Sequence, residues 1–135
     1  MPYKYINHTA DLGIEVTGRT LRELFVNIGR AIFETQISGK IATLKEVSFK
    51  INSESLEDLF IDWCRELLYN FAVNGFIPKK YEIIVRNTSL SARLKGAKFN
   101  PRIHRIKLEI KNPTYHNLKI ERSPKFYKAT IIFDV

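Results

Sequence analysis

The sequence predicts an α+β domain, a two-layer sandwich in which a mostly antiparallel sheet carries two amphipathic helices on one face. Three observations lead there. Two stretches, one after Gly18 and one after Ser53, repeat apolar residues every three or four positions, the period of a helix with one buried side. About seven shorter stretches alternate apolar and polar residues, as strands buried on one face do. Turn-forming residues separate several neighbouring strands at hairpin distance, which favours antiparallel pairing. At 135 residues, the chain fits a single domain, 1–135, large enough to bury a core.

In chain order, His8-Thr9-Ala10-Asp11 reads as a loop feeding a strand over 12–17, where Leu12, Ile14 and Val16 alternate with Gly13 and Glu15. Asp11 thus stands at the strand's mouth, on the face opposite the apolar residues. Thr20 and Glu23 form a capping-box pattern, in which hydroxyl and carboxylate satisfy the first free amides of a helix. Leu21, Leu24, Phe25, Ile28 and Ile32 then share one face, and Ser38-Gly39 is a plausible stop. Val47, Phe49 and Ile51 mark a one-sided strand.

The longest helix follows, with Ser53 or Ser55 as its cap and Glu54, Glu57 and Asp58 at the positive end of its dipole. Leu56, Leu59, Phe60, Trp63, Leu67 and Phe71 make its buried stripe, flanked by Cys64 and Leu68, and Asn74-Gly75 ends it. Asp58, Asp62 and Glu66 recur every four residues as an acidic ridge, either solvated or facing a partner. Tyr81-Ile83-Val85 and Leu90-Ala92-Leu94 flank an Asn87-Thr88-Ser89 turn and predict a hairpin. Ile106-Leu108-Ile110, Leu118-Ile120 and Ala129-Ile131-Phe133 predict the remaining strands.

No apolar run reaches the roughly 18 residues of a membrane span, and no signal-peptide core follows Met1-Pro2-Tyr3-Lys4. The single Cys64 cannot form an internal disulfide, so a cytoplasmic protein is expected. The charge is unevenly placed. Residues 1–75 carry eight Lys/Arg against ten Asp/Glu, net −2, whereas residues 76–135 carry fourteen against four, net +10. Such a basic half fits either an anionic partner such as RNA or a lysine-rich solvated surface.

Asp134 has the parity opposite Ala129, Ile131 and Phe133, so it projects from the far side of the last strand. With Asp11 and the carboxylate of Val135, it offers up to three hard oxygen ligands, a set that suits Ca²⁺ or Mg²⁺. Cys/His spacing for zinc is missing. The plainer reading of Asp11 is a turn aspartate. His8, His104, Lys111, Tyr115 and His116 are the other polar residues of note, and a histidine beside two carboxylates suits acid–base work. Yet no nucleophile elbow, phosphate loop or HExxH stretch is present, which favours binding over independent catalysis.

Four motifs together resemble the archease family along the whole chain: His8-Thr9-Ala10-Asp11-Leu12-Gly13, Asp62-Trp63, Ile110-Lys111 with Thr114-Tyr115-His116, and Ile132-Phe133-Asp134-Val135. The resemblance implies a small, metal-binding, cytoplasmic companion of an RtcB-type RNA ligase, with no reaction of its own. In tRNA splicing and RNA repair, that ligase joins RNA ends through a guanylylated histidine formed from GTP. The companion promotes guanylylation and repeated turnover. By the same resemblance, Asp11, Asp134 and the main chain of Val135 hold a divalent metal, Ca²⁺ with Mg²⁺ or Mn²⁺ as alternatives, and His8 lies beside them.

The resemblance also implies that Lys111, with Tyr115 and His116 of the same motif, acts at the ligase's active site and assists guanylylation. If Lys111 continues the strand parity of Ile110, it points away from the core toward Asp11 and Asp134. Two positions depart from the family pattern. Asn112-Pro113 replaces a frequent Ala-Val, so the strand is expected to bend or break at the proline. Gly96-Ala97 replaces a frequent Gly-Glu. A stand-alone, chaperone-like or RNA- and tRNA-binding module, using the basic half, is the alternative function. Exposed aromatics for base stacking are not evident in its strands.

Overall fold

Local sequence accounts for the two helices. A computed structural model describes residues 2–6 and 11–135. Helix α1 (Leu21–Gln36) starts where the Thr20 hydroxyl accepts the Glu23 amide at 3.1 Å. Helix α2 (Leu56–Asn74) is capped by Ser55, whose hydroxyl accepts the Asp58 amide at 3.0 Å. It ends at Gly75, whose φ of +67° is the left-handed conformation that a glycine adopts without steric cost.

Among the described residues the strands are β1 (Tyr3–Ile6), β2 (Leu12–Gly18), β3 (Ile37–Ser38), β4 (Lys45–Asn52), β5 (Phe76–Arg86), β6 (Ser89–Lys98), β7 (Arg105–Ile106), β8 (Asn112–Arg122) and β9 (Tyr127–Asp134). All pairings are antiparallel. They build a four-stranded sheet in the order β1-β2-β9-β8, a three-stranded sheet in the order β4-β6-β5, and the short ribbon β3-β7. The expected α+β class, mostly antiparallel with two helices, holds.

The division into separate sheets is finer than strand periodicity predicts. Both helices touch both larger sheets: α1 packs on β2 and β5, and α2 on β8 and β4. The reason is the extent of apolar surface on α1, where Leu24, Phe25, Val26, Ile28, Ala31, Ile32 and Phe33 are all buried and need neighbours on more than one side. Trp63 ties the layers together. It is fully buried, packs against Phe49 and Tyr81, and donates its indole N–H to the Phe25 carbonyl at 2.8 Å.

Three expectations change in detail. The alternation at Ile106-Leu108-Ile110 yields only the two-residue β7. The rest of that segment is captured by α1: Gln36 accepts the Lys107 amide on its carbonyl at 2.7 Å and the Ile110 amide on its side chain at 3.0 Å. Pro113 does not break its strand. It is buried in register with Phe133 on β8, a sheet-edge strand on which a missing amide is tolerated. The irregularity falls later, between Thr114 and Lys119, where Asn117 takes a φ of +55°. Finally, β1 carries no clear alternation and was not expected.

Candidate functional site

The site grows from the pairing of β2 with β9. Their register runs from Gly18↔Tyr127 to Leu12↔Phe133, and one step further stand Asp11 and Asp134. Opposed residues of an antiparallel pair share a face. Ile14, Val16, Ile131 and Phe133 point to the core, so Asp134, and Asp11 by the same alternation, belong to the other face. Asp134 is exposed and Asp11 half-buried. The strand parities read from sequence therefore bring the two carboxylates to one end of adjoining strands.

The third strand adds a neighbour that sequence reasoning missed. Asn112 of β8 is in register with Asp134, so Asp11, Asp134 and Asn112 form a row across β2, β9 and β8. Asn112 drew notice only as a departure from the family pattern. Its place opposite Asp134 depends on long-range pairing, which no local signal encodes.

Lys111 reaches the site by a different route from the one expected. Residues 107–111 are not a strand, so parity with Ile110 carries no orientation. Its amide instead donates to the Asp134 carbonyl at 2.8 Å, fixing the lysine's backbone beside the carboxylate row. Its side chain is exposed and, among the described residues, forms no ion pair. Thr114 is also tied down, its hydroxyl donating to the Ile132 carbonyl at 2.8 Å.

Tyr115 turns elsewhere. In the irregular stretch of β8 it crosses to the acidic ridge of α2, where its phenol donates to Asp58 at 2.5 Å beneath the Arg65 guanidinium. That bond, followed by desolvation and the negative charge of Asp58, raises the phenol's pKa. His116 is exposed beside Asn117. His104 is a structural residue: its Nδ1 accepts the Asn100 amide at 3.0 Å and its Nε2 bonds the Lys40 carbonyl at 2.9 Å, closing the loop before β7. His8 lies outside the described residues. Ala97 is buried on the three-stranded sheet, not on the sheet that carries Asp134.

Among the described residues no three His, Cys, Asp or Glu side chains gather as a metal cluster. The donors at this end are two carboxylates, the Asn112 amide oxygen and the main chain of Val135, all hard oxygens. Such a set fits a Ca²⁺ or Mg²⁺ ion whose remaining positions are filled by water or by a partner, and it lacks the sulfur and nitrogen ligands of structural zinc.

The family model of the archease protein family (MTH1598/TM1083) matches residues 3–135. The chain belongs to the archease family. It is 33% identical to Protein archease of Archaeoglobus fulgidus over the whole of both chains. It is 35% identical to that of Methanosarcina acetivorans, over 98% of this chain and 95% of the relative. Solved structures agree with the fold. Protein 1598 of Methanobacterium thermoautotrophicum, 26% identical, superposes with a TM-score of 0.80 over 99% of each chain. An archease from Thermotoga maritima, described as a possible chaperone and also 26% identical, has a TM-score of 0.69 over 98% of this chain and 96% of its own. Among the described residues of this chain, no helix is long and apolar enough to cross a membrane.

Proposed function

We propose that this chain is the protein partner of an RtcB-type RNA ligase, promoting guanylylation of the ligase by GTP and thereby its repeated turnover in tRNA splicing and RNA repair. Family membership and the chaperone-like description of the Thermotoga relative support a role exercised on another protein. The observation that carries the reading is the row Asp11–Asp134–Asn112 with the Lys111 backbone anchored to Asp134.

In this reading Asp11, Asp134 and the main chain of Val135 hold a divalent cation, with the Asn112 carbonyl as an added oxygen. The ion supplies positive charge that offsets two facing carboxylates and gives the partner a polar contact. Lys111 provides a mobile ammonium on an anchored backbone. In guanylylation a bond forms between a ligase histidine nitrogen and the α-phosphorus of GTP, and pyrophosphate leaves. A cation beside those phosphates stabilises the charge that develops on them. Tyr115 acts on this surface only through β8, whose irregularity it holds against α2, with His116 as the next residue of that stretch.

The test is label transfer from GTP to the ligase, with this protein at sub-stoichiometric and at excess ratios. Lys111→Ala should leave stability within about 0.5 kcal/mol, as for other exposed changes, while stimulation is lost. Full stimulation by the variant removes Lys111 from the mechanism, and no stimulation by wild type removes the reading. A purely RNA-binding module would need neither Lys111 nor Asp134, so the same assay separates the alternatives.

A further inference from the structure

The outer face of the three-stranded sheet lies away from the Asp134 row and carries a distinct chemistry. In the β4-β6-β5 register, the rows through Phe49, Ala92 and Ile83 face the helices. The alternate rows turn Lys50, Lys80, Arg86, Arg93 and Lys95 outward, against only Glu46 and Glu82. Both carboxylates are engaged by Arg93, at 3.1 and 4.0 Å. Among the described residues the other four cations have no ion pair. A shallow concavity of about 610 Å³ takes Lys50, Arg93 and Ile84 of this face into its lining, together with Phe49, Ile83 and Ala92 of the helix-facing rows.

An unbalanced group of cations on a concave surface calls for an anionic partner, and the groups between the cations indicate which kind. Protein interfaces centre on clusters of aromatic or aliphatic anchors. This face has one large exposed apolar side chain, Ile84, and no aromatic among its outward residues. Its remaining outward groups are Ser48, Asn52, Ser89 and Ser91, hydroxyls and amides of the sort that contact phosphate and ribose. Without an aromatic platform, unpaired bases have nothing to stack on, which favours a duplex held through its backbone and 2′-hydroxyls.

We propose that the outer face of β4, β6 and β5 binds the backbone of an RNA duplex without sequence preference. Asp11, Asp134 and Lys111 lie outside this face, so the proposal stands apart from the ligase-partner reading and can fail alone.

The test is fluorescence anisotropy of a labelled RNA duplex titrated with the full chain. Wild type should bind saturably, more weakly as salt rises. Lys50→Glu/Arg86→Glu/Lys95→Glu should bind at least tenfold more weakly. Its slope of log affinity against log salt should fall by about two to three, near one per lost phosphate contact. The milder Lys50→Gln/Lys95→Gln should shift both in the same direction, which covers misfolding of the triple variant. Lys40→Glu/Lys119→Glu/Lys125→Glu, a charge-matched change elsewhere, should leave binding near wild type.

Wild-type affinity in either face variant, or an equal loss in the charge-matched control, overturns the proposal. Equal affinity for a DNA duplex or for poly-glutamate overturns the assignment to RNA. Retained stimulation of ligase guanylylation by a face variant that has lost RNA would show that the two surfaces act separately.

Discussion

Asp134 gathers three relationships within one residue. Its side chain stands in the row with Asp11 and Asn112, its carbonyl accepts the Lys111 amide, and its strand is central in the four-stranded sheet. If the row holds a divalent ion, binding to the native state alone stabilises the fold, by about 2.7 kcal/mol at a hundredfold excess over Kd. Thermal melts with millimolar Ca²⁺, Mg²⁺ or Mn²⁺ and with chelator should therefore differ for wild type. Asp134→Ala should abolish the difference, and Asn112→Ala should require more metal for the same shift. Superimposable wild-type melts exclude tight binding by the isolated chain, and an unchanged Asn112→Ala titration removes the amide from the ligand set. Strand alternation made the two aspartates legible in sequence. Asn112 was not, because its place in the row depends on pairing with a residue 22 positions away.

Helix α2 was readable almost to the residue because its boundaries are local. Ser55 bonds three residues ahead, Gly75 supplies the left-handed turn, and the apolar stripe repeats between them. The segment before β8 misled for the converse reason. Ile106, Leu108 and Ile110 alternate as a strand does, but Gln36, more than 70 positions earlier, takes the amides that would have built a ladder. The bend expected at Pro113 was displaced to Tyr115 and its neighbours, where a phenol on β8 finds a carboxylate on α2.

That contact predicts a pH effect. The folded state raises the Tyr115 pKa. The bond's contribution is thus present below the unfolded phenol's value of about 10 and is lost as pH rises through the higher folded value. Tyr115→Phe should cost about 0.5–1 kcal/mol near neutrality, less than a buried charge-assisted bond contributes, because the ring is half in solvent. The gap in denaturant midpoint between wild type and Tyr115→Phe should close in strongly alkaline buffer. A gap independent of pH would assign the effect to packing alone.

At the scale of the molecule, two sheets share one helical layer, and Trp63 joins both helices to the three-stranded sheet. It bonds α1, packs on β4 and β5, and belongs to α2. Trp63→Ala should cost about 3–5 kcal/mol, since the void cannot be filled from either side. Trp63→Phe should fall between the two, keeping most of the packing and leaving the Phe25 carbonyl without its donor. Equal midpoints for wild type and Trp63→Ala would contradict the layered core. The sequence indicated that Trp63 was buried, from its place on the apolar stripe. Which of the two sheets it packs on was not legible, because the strand period is the same for one sheet as for two.

The placement of β9 between β2 and β8 has a consequence for how the molecule is made. Asp11 leaves the ribosome early and Asp134 late, and at about 5–20 residues per second the interval is roughly 6–25 s. Throughout that interval the flank of β2 reserved for β9 has no strand to bond, and an open edge of this kind is prone to pair with other chains. The β4-β6-β5 sheet is contiguous enough in sequence to form meanwhile. Arrival of β9 then closes the exposed edge and assembles the carboxylate row in one step, so the proposed ion site would be complete only when the vulnerable edge has been covered.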